Sequence, residues 1–353
     1  MPDCDVDFLL AGQGLAGSLL AWELVRRGSS VAIIDSHRHP SASRVAAGLV
    51  NAVSGKRLTL QPNIRVLLDS ARRRYEGLGQ QFSEPLFHSL PLFRLFRDLQ
   101  EFDYYRRRRE NPAYGPFFER DAEPAELARL DAPFGGVWIK EAGYLDIGRL
   151  LHRLGHWLAP RAHLREGFVD SRRVRLELGY VRYDNLRART LVFCEGSAIT
   201  ENHWFGFLPM QPVKGEILSL SLGAAPPLPQ AIIHKGFWLA PRSDGTHRFG
   251  ATYSWHSPDS IPTETARNQL VDALATLMPG LEFEVLAQVA GVRPATRDRN
   301  PLLGRHPEHP ELAVFNGFGA RGSLLIPWYA QAMADHLCDG APVPPEAQIA
   351  RYA

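Results

Sequence analysis

Hydrophobic residues near the start of the chain follow the pattern of a strand, a turn, a helix and a second strand. Residues 5–10 form a short apolar run that stops at turn residues, as buried strands do. In residues 18–27 the leucines recur at helical spacing, and Gly28 is a typical helix end. Residues 30–34 form another apolar run, and Asp35 comes directly after it. We therefore predict a βαβ unit at the start of the chain.

Three glycines, Gly12, Gly14 and Gly17, lie between the predicted first strand and the helix. In a dinucleotide-binding unit the first glycine allows a tight turn, the second lets the backbone approach a pyrophosphate, and the third lets the helix pack on the strand. The helix amino terminus then offers free N–H groups to the phosphates. Asp35 is spaced to accept hydrogen bonds from an adenosine ribose. The alternative, a glycine-rich turn in another α/β protein, is disfavoured by this complete context.

The βαβ unit does not choose between FAD and NAD, because both cofactors contain ADP. The next segment, "SASRVAAGLVNAVSGKR" (residues 41–57), is rich in small residues and begins soon after the ribose acid. Small residues suit a backbone that lies against an extended cofactor, whereas many NAD enzymes continue to wind the sheet here. The segment therefore favours FAD. Leu15, Ala16 and Ser36 complete the contacts predicted for the βαβ unit.

Later segments add both helical and strand patterns. The stretch "GYLDIGRLLHRLGHWL" (residues 143–158) predicts a helix, and "LVFCEG" (residues 191–196) predicts a buried strand. Alternating strands between residues 211 and 255 predict an antiparallel sheet, followed by an amphipathic helix in residues 263–281. The basic run at residues 104–111 favours a solvated helix face over a nucleic-acid patch.

Composition narrows the class of protein without naming a chemistry. The chain has 353 residues, 45% hydrophobic and 22% charged, which is typical of a globular protein of about two domains. Its formal net charge of +2 gives no general attraction to nucleic acid. No apolar run is long enough for a membrane span, and no signal peptide is predicted. Cys4, Cys194 and Cys338 are far apart, which excludes a disulfide framework or zinc cluster and predicts a cytoplasmic location.

Four later blocks, with the opening unit and residues 41–57, resemble the D-amino-acid oxidase superfamily of FAD-dependent oxidoreductases, in its glycine oxidase and sarcosine oxidase branch. The most specific block is "GVRPATRDRNPLLGRHPEHPELAVFNGFGARG" (residues 291–322). The others are "AGYLDIGRLL" (142–151), "LVFCEGS" (191–197) and "KGFWLAPRSDGTHRFGAT" (235–252). These blocks span nearly the whole chain in the family's order.

The resemblance implies FAD as the cofactor. Covalent relatives carry a cysteine near the stretch "GVRPAT", and this chain has none there, so the FAD is expected to be non-covalent. The implied contacts run from the ADP half to the flavin ring: Gly12, Gly14, Gly17 and Asp35 at the ADP half; Ser43, Arg44, Ala47 and Gly48 toward the flavin; Val169 on a strand backbone near the adenine; Gly196 beside the pyrophosphate; and Gly317, Gly319, Arg321, Gly322 and Ser323 at the flavin ring.

The predicted fold class is α/β. A Rossmann-like FAD-binding domain, made of residues 1–75, 141–205 and 290–353, is interleaved with a second domain. This substrate-binding domain, residues 76–140 and 206–289, is built on an antiparallel sheet with helices.

The implied activity is oxidation of the C–N bond of a small amino acid or secondary amine. Hydride passes to flavin N5, and water hydrolyses the imine that forms. Arg293 matches the family's carboxylate-binding arginine, and a guanidinium can hold both carboxylate oxygens. Tyr253 matches a position that faces the substrate in members of the family. Trp238 stands where glycine oxidase relatives present a tyrosine, which puts glycine itself in doubt as the substrate.

Lys214 and Lys235 are candidates for a further role. In sarcosine oxidase-like enzymes a lysine near the flavin promotes reaction with oxygen, and Lys235 is the candidate catalytic residue here. The alternative for both residues is an ordinary lysine at the protein surface.

The resemblance does not decide the electron acceptor, which is oxygen, a quinone or a partner protein. It also leaves open whether the protein forms a homo-oligomer.

Two other functions remain open. The stretch "GFGARG" is also similar to the flavin domain of the bifunctional enzyme that modifies the wobble uridine of tRNA and removes a carboxymethyl group from the base. The fused methyltransferase domain of that enzyme is not expected here, which ranks this alternative lower. The second alternative is that the chain is the FAD subunit of a hetero-oligomeric dehydrogenase.

Overall fold

The computed structural model describes residues 4–36, 41–223, 229–256 and 258–352. We number its strands and α-helices in chain order. The strands are β1 (Cys4–Ala11), β2 (Val31–Asp35), β3 (Leu49–Val50), β4 (Val53–Ser54), β5 (Thr59–Leu60), β6 (Phe87–Ser89), β7 (Leu92–Leu95), β8 (Phe118–Asp121), β9 (Gly136–Ile139), β10 (Gly143–Leu145), β11 (His163–Glu166), β12 (Arg175–Glu177), β13 (Tyr180–Tyr183), β14 (Leu186–Phe193), β15 (Val213–Leu222), β16 (Ile232–Lys235), β17 (Phe237–Pro241), β18 (His247–Gly250), β19 (Phe283–Arg293), β20 (Leu302–Arg305) and β21 (Leu312–Asn316). The helices are α1 (Leu15–Arg26), α2 (Ala42–Val45), α3 (Ile64–Phe82), α4 (Leu99–Arg109), α5 (Pro124–Leu127), α6 (Ile147–Leu158), α7 (Glu264–Leu277) and α8 (Gly322–Asp339).

The first of two compact units contains the described residues of Met1–Ala46, Ile147–Val213 and Val292–Ala353. Its main sheet places β11, β2, β1 and β14 side by side, and β21 pairs with the carboxyl half of β14. All of these pairs are parallel. Parallel neighbours need a crossover, and α1 supplies it between β1 and β2. Helix α1 packs against α6 and α8. This is a Rossmann-like sheet with covered strands, which explains the continuous apolar runs of the sequence.

The second unit contains the described residues of Ala47–Asp146 and Lys214–Gly291. Its large sheet has eight strands in the order β19-β15-β18-β17-β16-β7-β9-β8, and most of the pairs are antiparallel. One face of this sheet packs against α7, in a core that includes Phe93, Leu239, Phe249 and Leu270. The predicted antiparallel sheet and the following amphipathic helix are therefore confirmed.

The opposite face of this sheet carries polar residues. Trp238 pairs with Gly250 on one side and His234 on the other, and His234 pairs with Arg94 of β7. Each of these residues neighbours a core residue along its own strand, and side chains alternate between faces. We call the row Arg94, His234 and Trp238 the polar sheet face.

The opening βαβ unit is confirmed. Strand β1 and strand β2 lie where the apolar runs predict them, with Leu9 and Leu10 fully buried. Helix α1 begins at Leu15 rather than at residue 18, because Gly14 is its extended N-cap and the helix starts directly after the turn. The basic run at residues 104–111 lies largely on α4, where Arg106, Arg107 and Arg109 are exposed, as predicted.

The boundaries of the two units differ from the boundaries of the predicted domains. The predicted boundary after residue 75 falls inside α3 (Ile64–Phe82), whereas the units divide between Ala46 and Ala47. Small residues there continue without a break in pattern, so the sequence carries no sign of that division. The roles of the two units, FAD binding and substrate binding, remain predictions. No helix among the described residues is long and apolar enough to cross a membrane.

Candidate active site

The glycine turn after β1 is shaped by contacts that exclude side chains. Gly12 has a φ of +103°, and a Cβ there would lie 2.7 Å from the carbonyl oxygen of Cys194. A Cβ on Gly17 would overlap the carbonyl oxygen of Gly12. A Cβ on Gly14 would meet only Ser43, with Oγ at 3.1 Å. Gly12 and Gly17 are therefore required by the fold itself, while Gly14 leaves room for a ligand to approach.

The amino terminus of α1 is polarised for an anion. Its N-cap, Gly14, provides no side-chain cap, and the first turn contains no acidic residue. The N–H of Leu15 donates to Ser43 Oγ at 3.0 Å, which places Ser43 of α2 beside the turn. The other N–H groups of the first turn have no intrahelical acceptor, and the helix dipole adds partial positive charge.

Asp35 lies at the carboxyl end of β2, beside the same turn. Its Oδ1 accepts a hydrogen bond from the N–H of Gln13 at 2.9 Å. This backbone contact fixes the orientation of the carboxylate and therefore of its second oxygen. A carboxylate with a fixed orientation is suited to bind the hydroxyls of a ribose. Ser36, the next residue, is half-buried, as is Ala16 in α1, whereas Leu15 is buried.

Three adjacent parallel strands end in left-handed glycines. Strand β1 is followed directly by Gly12 and β21 directly by Gly317, while Gly196 lies three residues after the end of β14. Their φ angles are +103°, +59° and +80°. Ligands of open α/β sheets bind outside the carboxyl ends of the strands. We call Gly12, Gly196 and Gly317 the glycine edge of the first unit.

The loop before α8 is built like the first glycine turn. A Cβ on Gly317 would lie 2.9 Å from Thr296 Cγ2, and Gly319 has a φ of +53°. The N–H of Gly319 donates to the carbonyl of Pro294 at 3.0 Å. Helix α8 then begins at Gly322, without a side-chain cap and without an acidic residue in its first turn.

The residues around this loop range from exposed to buried, and Arg321 is half-buried. Arg321 donates to the carbonyl of Arg299 at 2.6 Å, and burial lowers the pKa of its guanidinium. Ser323 is buried at the start of α8. The first unit therefore has two helix amino termini, α1 and α8, that begin after glycine turns at one edge of the sheet.

These features fit a dinucleotide cofactor. The glycine turn brings backbone within reach of a ligand, α1 offers N–H groups to a pyrophosphate, and Asp35 is placed for a ribose. The amino terminus of α8 favours negative charge, which develops at the N1–C2 edge of a reduced flavin. The first unit could hold FAD with these residues.

Other predicted cofactor residues have mixed surroundings. In the second unit Gly48 has a φ of +78°, and a Cβ on it would overlap the carbonyl oxygen of Leu145. The carbonyl of Ala47 accepts a hydrogen bond from Arg242 at 3.4 Å. Arg44 is exposed on α2. Val169 lies outside any strand, three residues after β11 ends, so the expectation of a strand backbone there is corrected; its side chain belongs to the core of the first unit.

The predicted substrate residues are divided between the units. Arg293, the last residue of β19, is half-buried and belongs to the first unit. Trp238 is half-buried on the polar sheet face of the second unit. Tyr253 follows β18 in the same unit, and 62% of its surface is exposed, so core packing does not explain it.

Both candidate lysines are engaged within the second unit. Lys235 Nζ donates to the backbone carbonyl of Asp131, and it pairs with Asp131 Oδ2 at 2.6 Å. Lys214 is 5% exposed; its Nζ lies 2.6 Å from Asp259 Oδ1 and 3.7 Å from Glu216 Oε1. The surface-lysine alternative is therefore wrong for Lys214, because its ammonium is buried in a polar network. A catalytic role for Lys235 stays a prediction.

The row of residues beside Trp238 contains a buried ion pair that the sequence analysis did not single out. Arg94 pairs with Glu101 of α4, and both side chains are buried. Burial, with Arg94 and Arg97 nearby, holds the pKa of His234 well below its usual range. His234 is therefore neutral beside the two arginines.

Glu195 and Asn316 at the glycine edge were also missed. Glu195 directly precedes Gly196, and its Oε2 accepts a hydrogen bond from Asn202 Nδ2 at 2.9 Å. Burial raises the pKa of its carboxyl to about 7. Asn316 Nδ2 donates to the carbonyl of Gly196 at 3.0 Å, and its Oδ1 accepts from the N–H of Gly317 at 2.8 Å. The available signal was a polar residue at the end of each apolar strand.

The fold and the glycine edge define a dinucleotide-binding class of protein, and comparison with known proteins identifies the cofactor. A family model described as FAD dependent oxidoreductase matches residues 7–336. The chain belongs to this family; it is an oxidoreductase, and FAD is its cofactor.

Individual relatives point in two directions. The bifunctional tRNA 5-methylaminomethyl-2-thiouridine biosynthesis protein MnmC of Marinobacter nauticus is 24% identical over 94% of this chain and 55% of its own length. The glycine oxidase of Pseudomonas aeruginosa is 26% identical over 95% of each chain. This chain thus spans little more than half the length of the bifunctional relatives. The glycine oxidase structure from Geobacillus kaustophilus has a TM-score of 0.80 at 23% identity, covering 96% of this chain and 95% of its own, which shows a shared fold.

Proposed function

We propose that this protein oxidises the C–N bond of a small amino acid or secondary amine. The observation that carries the proposal is the match to a glycine oxidase along 95% of both chains. When bound, FAD supplies the hydride acceptor for the carbon next to nitrogen. The residues of the chain then bind and orient the amine, and water hydrolyses the imine product.

The proposed roles of the side chains follow from their chemistry. Arg293 binds the substrate carboxylate, because a guanidinium offers paired N–H donors to two oxygens. Trp238 and Tyr253 bound the space for the substrate side chain. Trp238 has one indole donor in place of a tyrosine hydroxyl, so it changes both the shape and the hydrogen bonding of that space. No acid–base residue is assigned, since the amine binds in its neutral form.

The cofactor is proposed to be non-covalent. Cys194 is buried in the first unit, where desolvation raises the pKa of its thiol and disfavours the reactive thiolate. Cys338 is exposed on α8, near the end of that helix and far along it from Gly322. Oxygen, a quinone or a partner protein as electron acceptor, and the cytoplasmic location, stay predictions.

The role of Arg293 is tested by comparing two substrates. In Arg293→Ala, kcat/KM for a carboxylate-bearing amine such as sarcosine is expected to fall roughly 10- to 100-fold, the effect of losing charge-assisted hydrogen bonds. An N-alkyl amine without a carboxylate is expected to change little. The matched control is Arg297→Ala, because Arg297 is an exposed arginine four residues away. Equal losses with both substrates would contradict a carboxylate-binding role.

A second candidate function is oxidation of a carboxymethylaminomethyl group on a modified tRNA base. It is favoured by the matches to bifunctional MnmC proteins, which cover 94–97% of this chain in the first three. The test is anaerobic mixing with tRNA that carries this modification, against an unmodified transcript as control. Flavin reduction by the modified tRNA alone would support this function in place of the first.

A further inference from the structure

The second unit contains a cavity at the outer edge of its large sheet. Its volume is ≈ 370 Å³, within the range of small-molecule sites, which begins at about 300 Å³. Helix α4 forms one wall, and the end of β8 and the start of β9 form the other. None of the residues predicted to bind FAD or substrate lines it.

Aromatic side chains form the interior of the cavity. Phe102 and Tyr105 lie on one face of α4, and Phe96 and Phe134 complete the lining. Phe96 stacks with Tyr105 at a centroid distance of 5.0 Å, so these walls are packed in place. Gly135 has a φ of +78°, and a Cβ on it would meet nothing within 4 Å. The inner walls of the cavity are therefore aromatic, and the space above Gly135 is open.

Two of the four charges that line the cavity already form a pair. Arg109 donates to one oxygen of Asp121, and the hydroxyl of Tyr105 donates to the other. The charge of Asp121 is thereby balanced by Arg109, in a pair at the exposed surface of the second unit. Neither Arg109 nor Asp121 needs a ligand to complete its contacts.

The other two charges, Arg106 and Glu110, are exposed, and their side chains form no hydrogen bond or ion pair with the other residues that the structure describes. They are four residues apart, which makes them neighbours on the helix surface. A guanidinium and a carboxylate thus stand side by side above an aromatic cavity. A simple anion would be attracted by Arg106 and repelled by Glu110, whereas a zwitterion satisfies both groups.

We propose that this cavity binds an α-amino acid with an aromatic or large apolar side chain, at a site separate from the oxidation site. The side chain enters among Phe96, Phe102 and Phe134. The carboxylate of the ligand pairs with Arg106, and its ammonium pairs with Glu110. The proposal does not depend on which substrate the flavin oxidises.

The test is calorimetric titration of the flavin-loaded protein under anaerobic conditions. The probe is α-methylphenylalanine, which has no Cα–H bond and so cannot be oxidised there. Saturable binding is expected, and 3-phenylpropanoate and phenethylamine, each lacking one charge, are expected to bind more weakly. Arg106→Gln is expected to weaken binding of α-methylphenylalanine about fivefold, the effect of one exposed ion pair. It should not weaken binding of phenethylamine, because its ammonium gains nothing from Arg106 and is repelled by it.

A second variant and a matched control keep the test specific. Phe134→Ala removes an aromatic wall outside the main core cluster and is expected to weaken all three ligands. Arg107→Gln changes an exposed neighbour of Arg106 that does not line the cavity, so its affinities should equal those of the wild type. Thermal unfolding of each variant checks that it folds. Absence of binding, or binding that Arg106→Gln and Phe134→Ala leave unchanged, would overturn the proposal.

Discussion

The glycine edge and the polar sheet face are built in different ways. At the glycine edge, three turns follow three parallel strands, and each contains a glycine with a positive φ that other residues rarely adopt. On the polar sheet face, a side chain meets a partner that is distant in sequence, because the guanidinium of Arg94 donates a hydrogen bond to the carbonyl of Gly55, 39 residues away. Short stretches of sequence are therefore enough to predict the glycine edge, but they are not enough to predict the contacts of the polar sheet face.

The largest expected effect is at Gly17, where α1 packs against the glycine turn that follows β1. Gly17→Ala should nearly abolish FAD retention, because its Cβ would overlap the carbonyl oxygen of Gly12 and push α1 away from the turn. Flavin absorbance per polypeptide measures the loss. The matched control is Gly155→Ala, another helical glycine, whose Cβ would meet nothing within 4 Å. That variant should keep its flavin and gain up to about 1 kcal/mol of stability from helix propensity. Equal flavin content in both variants would show that close packing of Gly17 on the glycine turn is not needed to retain FAD.

The next largest effect concerns the buried lysine of the second unit. Lys214→Met should lower the free energy of unfolding by about 3 kcal/mol, because it leaves Asp259 and buried Glu216 without their cation. Urea unfolding measures the change. Lys56→Met is the control, since Lys56 forms an exposed pair with Asp98, and it should cost less than about 1 kcal/mol. A similar loss in both variants would contradict the buried network.

The third prediction is that Glu195, unlike an ordinary carboxylate, makes the stability of the protein depend on pH between 5 and 8. Its folded-state pKa of about 7 lies above the usual 4.5, so the folded protein binds the proton more tightly than the unfolded chain does. The stabilising contribution is complete below pH 4.5 and is lost as the pH rises to about 7. Between pH 5 and 8 the wild type should therefore lose roughly 2–3 kcal/mol more stability than Glu195→Gln.

The control for this titration is Glu201→Gln, an exposed carboxylate nearby in sequence. Its pH profile, from chemical unfolding at each pH, should follow that of the wild type. Parallel profiles for wild type and Glu195→Gln would show that the buried carboxyl does not titrate in this range.

The smallest expected effect is a change of preference on the polar sheet face. Trp238→Tyr restores the hydroxyl that glycine oxidase relatives present and should raise the relative kcat/KM for glycine several-fold, with little effect on flavin content. Phe237→Tyr, at the adjacent half-buried position on the opposite face of β17, is the control. If both variants shift the preference equally, Trp238 does not bound the substrate.

The sequence could predict the regions where function depends on backbone geometry. Gly12, Gly14, Gly17 and Asp35 have a fixed spacing in a βαβ unit, and the structure brings them to one turn. Glu195 could not be predicted in this way, because the raised pKa of its carboxyl depends on burial, and the local sequence "CEG" gives no sign of burial.

The second unit was harder to predict for the same physical reason. Lys214 is buried only because a segment 45 residues later, at Asp259, folds over its ammonium. The division after Ala46 also has no local signal, because it depends on contacts between residues that are far apart in the sequence.

The central claim, oxidation of a small amine by bound FAD, is tested most directly by anaerobic flavin bleaching. The flavin-loaded protein is mixed with glycine, sarcosine, D-amino acids and N-alkyl amines, and in parallel with modified tRNA. The account predicts that at least one class of small amine bleaches the visible absorption of the flavin. If dithionite reduces the flavin but no small amine does, the claim is contradicted.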